Sequence, residues 1–230
     1  MIYLFDIDGT LLLTGGAGSR ALDRVFRASY GIEGAMDGIR LAGKTDPVIV
    51  EEVFVTQLGR TPSPEEIDQV IERYVPLLQH ELGQSPAFRL MPNVVETLDF
   101  LATQAGILLG IATGNVRAAA DAKLDRAALR ERFAMGGYGC DHRDRARLVA
   151  RAIERARALD GGRGGRLSAV QVVVVGDTPS DVSAARAVGA QVLAVATGSY
   201  SVADLAACGP DQVFETLDEL PAWHHARTGY

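Results

Sequence analysis

Two aspartates, Asp6 and Asp8, stand two residues apart at the end of a short apolar run, in the stretch Phe5-Asp6-Ile7-Asp8-Gly9-Thr10. Side-chain direction in an extended chain repeats every two residues, so both carboxylates lie on one side of the backbone. Like charges so placed repel unless a cation sits between them or one of them takes up a proton. Gly9 permits a sharp turn, and Thr10 supplies a hydroxyl to brace it. By itself the stretch also fits a solvated acidic turn after an edge strand. Two further polar stretches follow apolar runs, Thr113-Gly114-Asn115 and Gly176-Asp177-Thr178-Pro179-Ser180-Asp181. If all three meet, Asp6, Asp8, Asp177 and Asp181 crowd one rim and need a hard divalent cation. Mg²⁺ suits a site with few carboxylates, several waters and a phosphate oxygen. Thr113 and the amides that follow, at Gly114 and Asn115, are suited to holding phosphate oxygens, with a cationic side chain neutralising the rest. The chemistry so assembled is that of a phosphoryl group.

The elements that must position these residues alternate. Ile2–Phe5 has the length of a buried strand, and 107–112 is a second one running into Thr113. Residues 170–175 form the most apolar β-branched run in the chain, as expected in the middle of a parallel sheet covered on both faces. Residues 191–196 and Gln212–Phe214 read as further strands, and 134–138 as a short one. Helical spacing appears over 92–104, 115–124, 127–133, 145–159, 181–188 and 201–208, with a glycine-rich surface loop over 160–165. Strands alternating with helices imply an α/β fold, a doubly wound (Rossmann-like) parallel sheet whose ligand crevice lies at the carboxyl ends of the strands. All three polar stretches sit at that edge.

Between the first two strands the pattern changes. Residues 11–18 read as a glycine-bearing loop and 19–30 as a helix closed by Gly31. A second helix follows Thr45-Asp46-Pro47 and runs to Leu58, and a third runs from Pro64 toward Leu82, interrupted at Pro76. Residues 15–90 are therefore expected to form a helical cap inserted after the first strand, with 1–14 and 91–230 as the α/β core.

The 230 residues carry a formal net charge of −6, which disfavours nucleic acid or an anionic membrane surface as the main partner and confines any phosphate site to a local pocket. Cys140 and Cys208 are far apart and match neither a disulfide framework nor zinc-ligand spacing, so both are expected to be reduced thiols. Neither a basic leader before the first apolar run nor a stretch approaching the ~20 residues needed to span a bilayer is evident. These features lead to the expectation of a cytoplasmic protein, a monomer or homodimer, acting on a small phosphorylated metabolite.

The three stretches resemble the motifs of the haloacid dehalogenase superfamily, specifically its magnesium-dependent phosphatases of the phosphoglycolate phosphatase and β-phosphoglucomutase type. Asp6-Ile7-Asp8-Gly9-Thr10 is similar to the nucleophile motif, Thr113-Gly114-Asn115 to the phosphate-binding motif, and Gly176 through Asp181 to the metal motif, in the family's order. The resemblance implies that Asp6 attacks phosphorus to give an aspartyl-phosphate, while Asp8 protonates the leaving alcohol and then activates water. It implies that Asp6, the backbone carbonyl of Asp8 and Asp177 hold Mg²⁺, with Asp181 as ligand or support. The family also places a basic residue, usually a lysine ahead of Pro-x-Pro, near the phosphate. Here the corresponding stretch is Cys140-Asp141-His142-Arg143-Asp144-Arg145, so Arg145 is the first candidate, with Arg143 and Lys123 as alternatives. Lys44, in Leu41-Ala42-Gly43-Lys44-Thr45-Asp46, resembles a cap segment turned toward substrate and is a specificity candidate. His142 is a weaker substrate contact, and Trp223 with His224 and His225 reads as a peripheral tail.

Phosphoryl transfer of the phosphoglucomutase type shares every one of these core residues. The absent Lys-Pro motivates a second alternative, a non-catalytic binding or regulatory protein. An α/β nucleotide-binding module is disfavoured, because no glycine-rich phosphate loop of either common pattern follows a strand.

Overall fold

Every side chain of β1 (Ile2–Phe5) is buried, because this strand lies inside the sheet with helices on both of its faces. In the computed structural model, which describes residues 1–161 and 171–228, the chain continues through β2 (Leu12–Leu13), α1 (Ala17–Tyr30), α2 (Asp46–Leu58), α3 (Pro64–Gln84), β3 (Arg89–Leu90) and α4 (Val94–Thr103). It goes on with β4 (Leu108–Ala112), α5 (Arg117–Arg126), β5 (Met135–Gly137), α6 (Arg145–Gly161) and β6 (Val172–Gly176). The last elements are α7 (Pro179–Ala187), β7 (Gln191–Val195), α8 (Val202–Ala206), β8 (Gln212–Phe214) and α9 (Glu219–Thr228). Six strands form one sheet in the order β5-β4-β1-β6-β7-β8, and every pairing in it is parallel. This is the doubly wound α/β fold expected from the alternation.

The period of two along the strands divides the core into two layers. Tyr3, Phe5, Ile111, Val173 and Val175 face α4, α5 and α9, whereas Ile2, Leu4, Ala112, Val172 and Val174 face α6, α7 and α8. The strand order places β1 between β4 and β6, so the three polar stretches leave neighbouring strands at one sheet edge. A third apolar cluster joins Leu22, Val25 and Phe26 of α1 to Val50, Val53 and Phe54 of α2 and to Val70, Tyr74 and Leu78 of α3. Val116, Ala119 and Ala122, at the start of α5, seat this helical group on the sheet side.

Several expectations need correction. The loop over 11–18 contains β2, which pairs antiparallel with β3, Leu12 opposite Leu90 and Leu13 opposite Arg89. A strand of two residues leaves no periodicity to detect. Pro76 does not interrupt α3, which continues to Gln84. Pro76 lies on the exposed face, where water is available to the carbonyl its ring leaves unpaired. The segment 127–133 holds only one 3₁₀ turn, Arg130–Arg132, after Ala128 with its φ of 55°. The loop expected over 160–165 gives way to the end of α6 as far as Gly161, and its remainder lies outside the described residues, as does Val170.

The C-terminal segment is not a peripheral tail. His224, on α9, is buried, and its Nδ1 lies 2.8 Å from the Tyr3 hydroxyl of the central strand. Burial first, then His225 and the N-terminal ammonium, hold His224 below the usual imidazole value. The unfolded chain takes up this proton near about pH 6.5 and the folded chain resists it, so stability drains away as pH falls through that value. His224→Gln, which keeps a polar partner for Tyr3, is expected to lose less Tm than the wild type between about pH 8 and about pH 5.5. Equal losses would remove His224 from the acid response.

Candidate active site

Asp6 leaves the carboxyl end of β1 with its N–H donated to the Val175 carbonyl, 2.9 Å away on β6. Its side chain is buried, and Oδ2 lies 2.8 Å from Nη2 of Arg145, the first residue of α6. Asp8 lies further out, with 41% of its side chain exposed. Lys123 donates to its Oδ2 at 2.6 Å and Asn115 Nδ2 donates to the same oxygen at 2.7 Å. The two strand-end carboxylates therefore have separate cations, a buried arginine for one and a buried lysine for the other.

Thr113 and Asn115 form the neighbouring wall. The Thr113 N–H donates to the Gly137 carbonyl at 3.0 Å, and its hydroxyl oxygen accepts from Asn115 Nδ2 at 2.8 Å. Lys123 also donates to Asn115 Oδ1 at 2.6 Å, so threonine, asparagine, lysine and Asp8 make one continuous network. Gly114 is a position of close approach. A Cβ there would meet the Lys44 carbonyl oxygen at 2.1 Å, where the linker into α2 passes over the loop. Asp46 ties the two together, its N–H donating to the Gly114 carbonyl and its carboxylate accepting from the Val116 N–H, each at 2.8 Å. Burial pushes the Asp46 carboxyl up to about 6 against Lys123 and the Val116 N–H, which favour its charge.

Asp177 follows β6 and is pressed between two glycines. A Cβ on Gly9 would meet its Oδ2 at 2.3 Å and a Cβ on Gly198 would meet it at 1.8 Å, so only bare backbone fits on either side. The Thr10 hydroxyl donates to Asp177 Oδ1 at 2.9 Å, bracing this carboxylate as well as its own turn. Asp181 and Thr178 form a reciprocal capping box on α7, with Asp181 Oδ2 accepting from the Thr178 N–H and hydroxyl. Its other oxygen accepts from Arg145 Nε at 2.9 Å. Asp181 thus starts a helix and also faces the cluster.

Asp6, Asp177 and Asp181 each present an oxygen within 4.8 Å of the others, all three buried. Burial pushes Asp177 up to about 8, with Asp181 and Asp6 raising it further and Thr10 and Arg145 opposing. Burial likewise lifts Asp6 to about 6 against the pull of Arg145. One guanidinium serves these carboxylates. Its Nη2 lies 2.6–2.8 Å from Asp181 and Asp6 but has no aligned hydrogen-bond acceptor. An all-oxygen donor set short of positive charge fits a hard divalent cation. Over the site lies a cavity of about 520 Å³, walled by Asp6, Asp8 and Lys123 below and by residues of α1, α2 and α3 above.

A family model described as haloacid dehalogenase-like hydrolase matches residues 3–195 of this chain. The chain belongs to that family. A phosphoglycolate phosphatase of Synechococcus elongatus is 32% identical over 149 residues, 64% of this chain and 66% of that protein. The "Probable phosphatase IndB" of Dickeya dadantii is 26% identical over 229 residues, 98% of this chain and 94% of that protein. Among solved structures, CbbY of Rhodobacter sphaeroides in complex with phosphate superposes with a TM-score of 0.73 at 20% identity, covering 95% of each chain. A haloacid dehalogenase-like family hydrolase of Streptococcus pneumoniae gives 0.68 at 21% identity over 97% of each. At these identities the structural likeness is one of fold.

Within this haloacid dehalogenase-like frame the sequence candidates separate. Asp6, Asp8, Thr113, Gly114, Asn115, Lys123, Arg145 and Asp177 all line the one cavity, and Asp181 lies against its floor through Arg145. Arg143 does not join them, since it pairs with Glu51 of α2 near the surface. His142 turns to its own loop, its Nδ1 accepting from the Asp144 N–H at 2.8 Å. Lys44 lines the cavity with its ammonium paired to Glu52. Sequence reasoning passed over Tyr74, Arg89 and Gly198, which no local spacing connects with the motifs, and gave Asp46 only as part of the segment that carries Lys44. Among the described residues, no helix is long and apolar enough to cross a membrane.

Proposed function

We propose that this haloacid dehalogenase-like phosphatase hydrolyses a small phosphomonoester with Mg²⁺, by way of an aspartyl-phosphate on Asp6. The observation that carries this reading is the division between the two strand-end aspartates, Asp6 buried in the acidic cluster and Asp8 half-open with Lys123 and Asn115. In the first step Asp6 attacks phosphorus and the bond to the leaving oxygen breaks, as Asp8 delivers a proton to that oxygen. In the second step Asp8 takes a proton from water, the water oxygen attacks phosphorus, and Asp6 is released with inorganic phosphate. Thr113, the Gly114 amide and Asn115 orient the phosphoryl oxygens, and Lys123 offsets their charge at the Asp8 side.

Asp6, Asp177 and Asp181 would hold the metal, with the Asp8 carbonyl as the family resemblance implies. When bound it would supply positive charge that lets Asp6 and the phosphoryl group approach without repulsion. Arg145 performs part of that neutralisation in its absence and keeps Asp6 aligned. Residues 15–90 act as a cap that limits water above the site and selects the leaving group. The two buried cations at the site remove the ground for a non-catalytic reading, which rested on a missing Lys-Pro.

Phosphate release from p-nitrophenyl phosphate is expected with Mg²⁺, to be lost with EDTA and to return with excess Mg²⁺. Release that ignores EDTA would overturn the metal requirement. Isomerisation of a sugar phosphate without phosphate release would overturn hydrolysis.

A further inference from the structure

Each non-proline residue brings one donor and one acceptor to the main chain, so the loop 113–116 can be accounted for group by group. The core holds part of it. The Thr113 N–H donates to the Gly137 carbonyl, the Gly139 N–H donates to the Asn115 carbonyl at 2.8 Å, and the Asn115 N–H donates to the Thr113 hydroxyl oxygen at 3.3 Å. Two further groups, the Gly114 carbonyl and the Val116 N–H, are both taken by Asp46, the first residue of α2. The Gly114 N–H has no acceptor among the described residues, and Gly114 lines the cavity. The helical segment therefore holds the two residues on either side of Asn115.

An acidic residue at a helix start is ordinarily accounted for by the helix dipole. That account does not explain why Asp46 is buried, at a cost to its charge, with its carboxylate spent on the Val116 N–H of another helix start. Close packing points to the same contact. A Cβ on Gly139 would meet the Gly114 carbonyl oxygen at 2.1 Å, as close as one on Gly114 would come to the Lys44 carbonyl oxygen. Three backbone segments, Lys44–Asp46, Gly114–Val116 and Gly139, are thus stacked with no room for side chains between them. What they hold is Asn115, whose side chain donates to Asp8 and Thr113 and accepts from Lys123. A shift of residues 114 and 116 would carry that whole network with it.

We propose that Asp46 is a positioning residue for phosphoryl binding, its grip on Gly114 and Val116 fixing the free Gly114 N–H and the Asn115 side chain where they meet the phosphoryl oxygens. The proposal rests on the phosphatase reading and adds to it a residue that acts through the loop and not on the substrate. Donors held in place before the ligand arrives bind more tightly, because their ordering costs nothing at that moment. Loop 113–116 therefore reaches its full affinity for phosphate only with α2 seated on it.

The test measures the inhibition constant of inorganic phosphate against p-nitrophenyl phosphate and, in parallel, the phosphate concentration needed for a given rise in Tm. Asp46→Ala is expected to raise both about tenfold, the scale of one lost hydrogen bond to a charged acceptor. Asp46→Asn, whose amide oxygen can accept the same bond from Val116, is expected to stay within about threefold of wild type. If Asp46→Ala melts too low to assay, Asp46→Glu, which keeps the charge but moves the acceptor by one methylene, gives the same readout. Arg143→Gln breaks a different tie between α2 and the core, the ion pair with Glu51, and is expected to change neither value by more than about threefold. A role confined to stability would lower the Tm of Asp46→Ala without moving either phosphate value. That result, a loss in Asp46→Asn equal to that in Asp46→Ala, or an equal loss in Arg143→Gln, overturns the positioning role and leaves the phosphatase reading in place. If wild-type enzyme releases phosphate from no ester, the phosphatase reading falls while the Tm series still decides the part played by Asp46. No release together with no effect of phosphate on Tm overturns both.

Discussion

Asp6→Asn is expected to lower turnover by on the order of 10⁴-fold or more, while the metal-free variant melts above the metal-free wild type. The first effect follows from removing the oxygen proposed to attack phosphorus. The second follows from the carboxylate's surroundings. Burial raises Asp6 to about 6, and Asp181 and Asp8 add to that push, so its charge is disfavoured in the fold at neutral pH. An amide of the same shape removes that penalty, although it gives up the ion pair with Arg145. Activity and Tm moving in opposite directions distinguish a lost nucleophile from a damaged fold. Turnover retained at more than a few per cent of wild type would remove Asp6 from the covalent role.

Lys123→Met and Arg145→Met form the second experiment, because each removes one of the two buried cations. Lys123→Met is expected to reduce kcat/KM by on the order of 10²–10³, the scale of one lost electrostatic contact to a transferring group. It also leaves Asn115 Oδ1 and Asp8 short of their 2.6 Å donor. Arg145→Met exposes Asp6, Asp177 and Asp181 to one another, and breaking a buried pair of this kind costs about 3–5 kcal/mol. The two defects are expected to respond differently to metal. Saturating Mg²⁺ should recover most of the Tm lost by Arg145→Met, since the ion serves the same carboxylates, and little of that lost by Lys123→Met. Equal recovery in both would disprove this division of labour.

Much of this site was legible in the sequence because its chemistry is concentrated at strand ends. The apolar run ahead of Asp6, the one ahead of Thr113 and the valine run ahead of Asp177 each announce a buried parallel strand, and parallel strands present their carboxyl ends at one edge. Choosing among the cations was a different problem. Arg143 and Arg145 differ by two positions in sequence, yet one opens α6 beneath the site and the other reaches outward to Glu51. Lys123 lies seven residues into α5 and arrives only because that helix packs back over the Thr113 loop. The same limit hid Tyr74, whose place beside Gly18 is created by the packing of α3 on α1. Asp181 carries the opposite lesson. The spacing Thr178-x-x-Asp181 is already explained by helix capping, so the sequence motif alone does not separate a cap from a member of the acidic cluster; its contact with Arg145 and its approach to Asp6 and Asp177 do.

The small ribbon of β2 and β3 has an evolutionary consequence. Leu12 pairs with Leu90 and Leu13 with Arg89, so the chain departs toward the helices and returns from them at adjacent points, about one strand spacing apart. An intervening segment whose own ends lie close together can be lengthened, shortened or exchanged there without changing the order or register of the six-stranded sheet. The sheet edge that carries Asp6 and Asp8 thereby keeps its strand order and register whatever sits above it. The constraint on such exchange falls on α5, where Val116, Ala119 and Ala122 must still meet a complementary apolar surface. Those three positions, together with the Gly114 carbonyl and the Val116 N–H that Asp46 engages, are where a replacement segment would have to be made to fit.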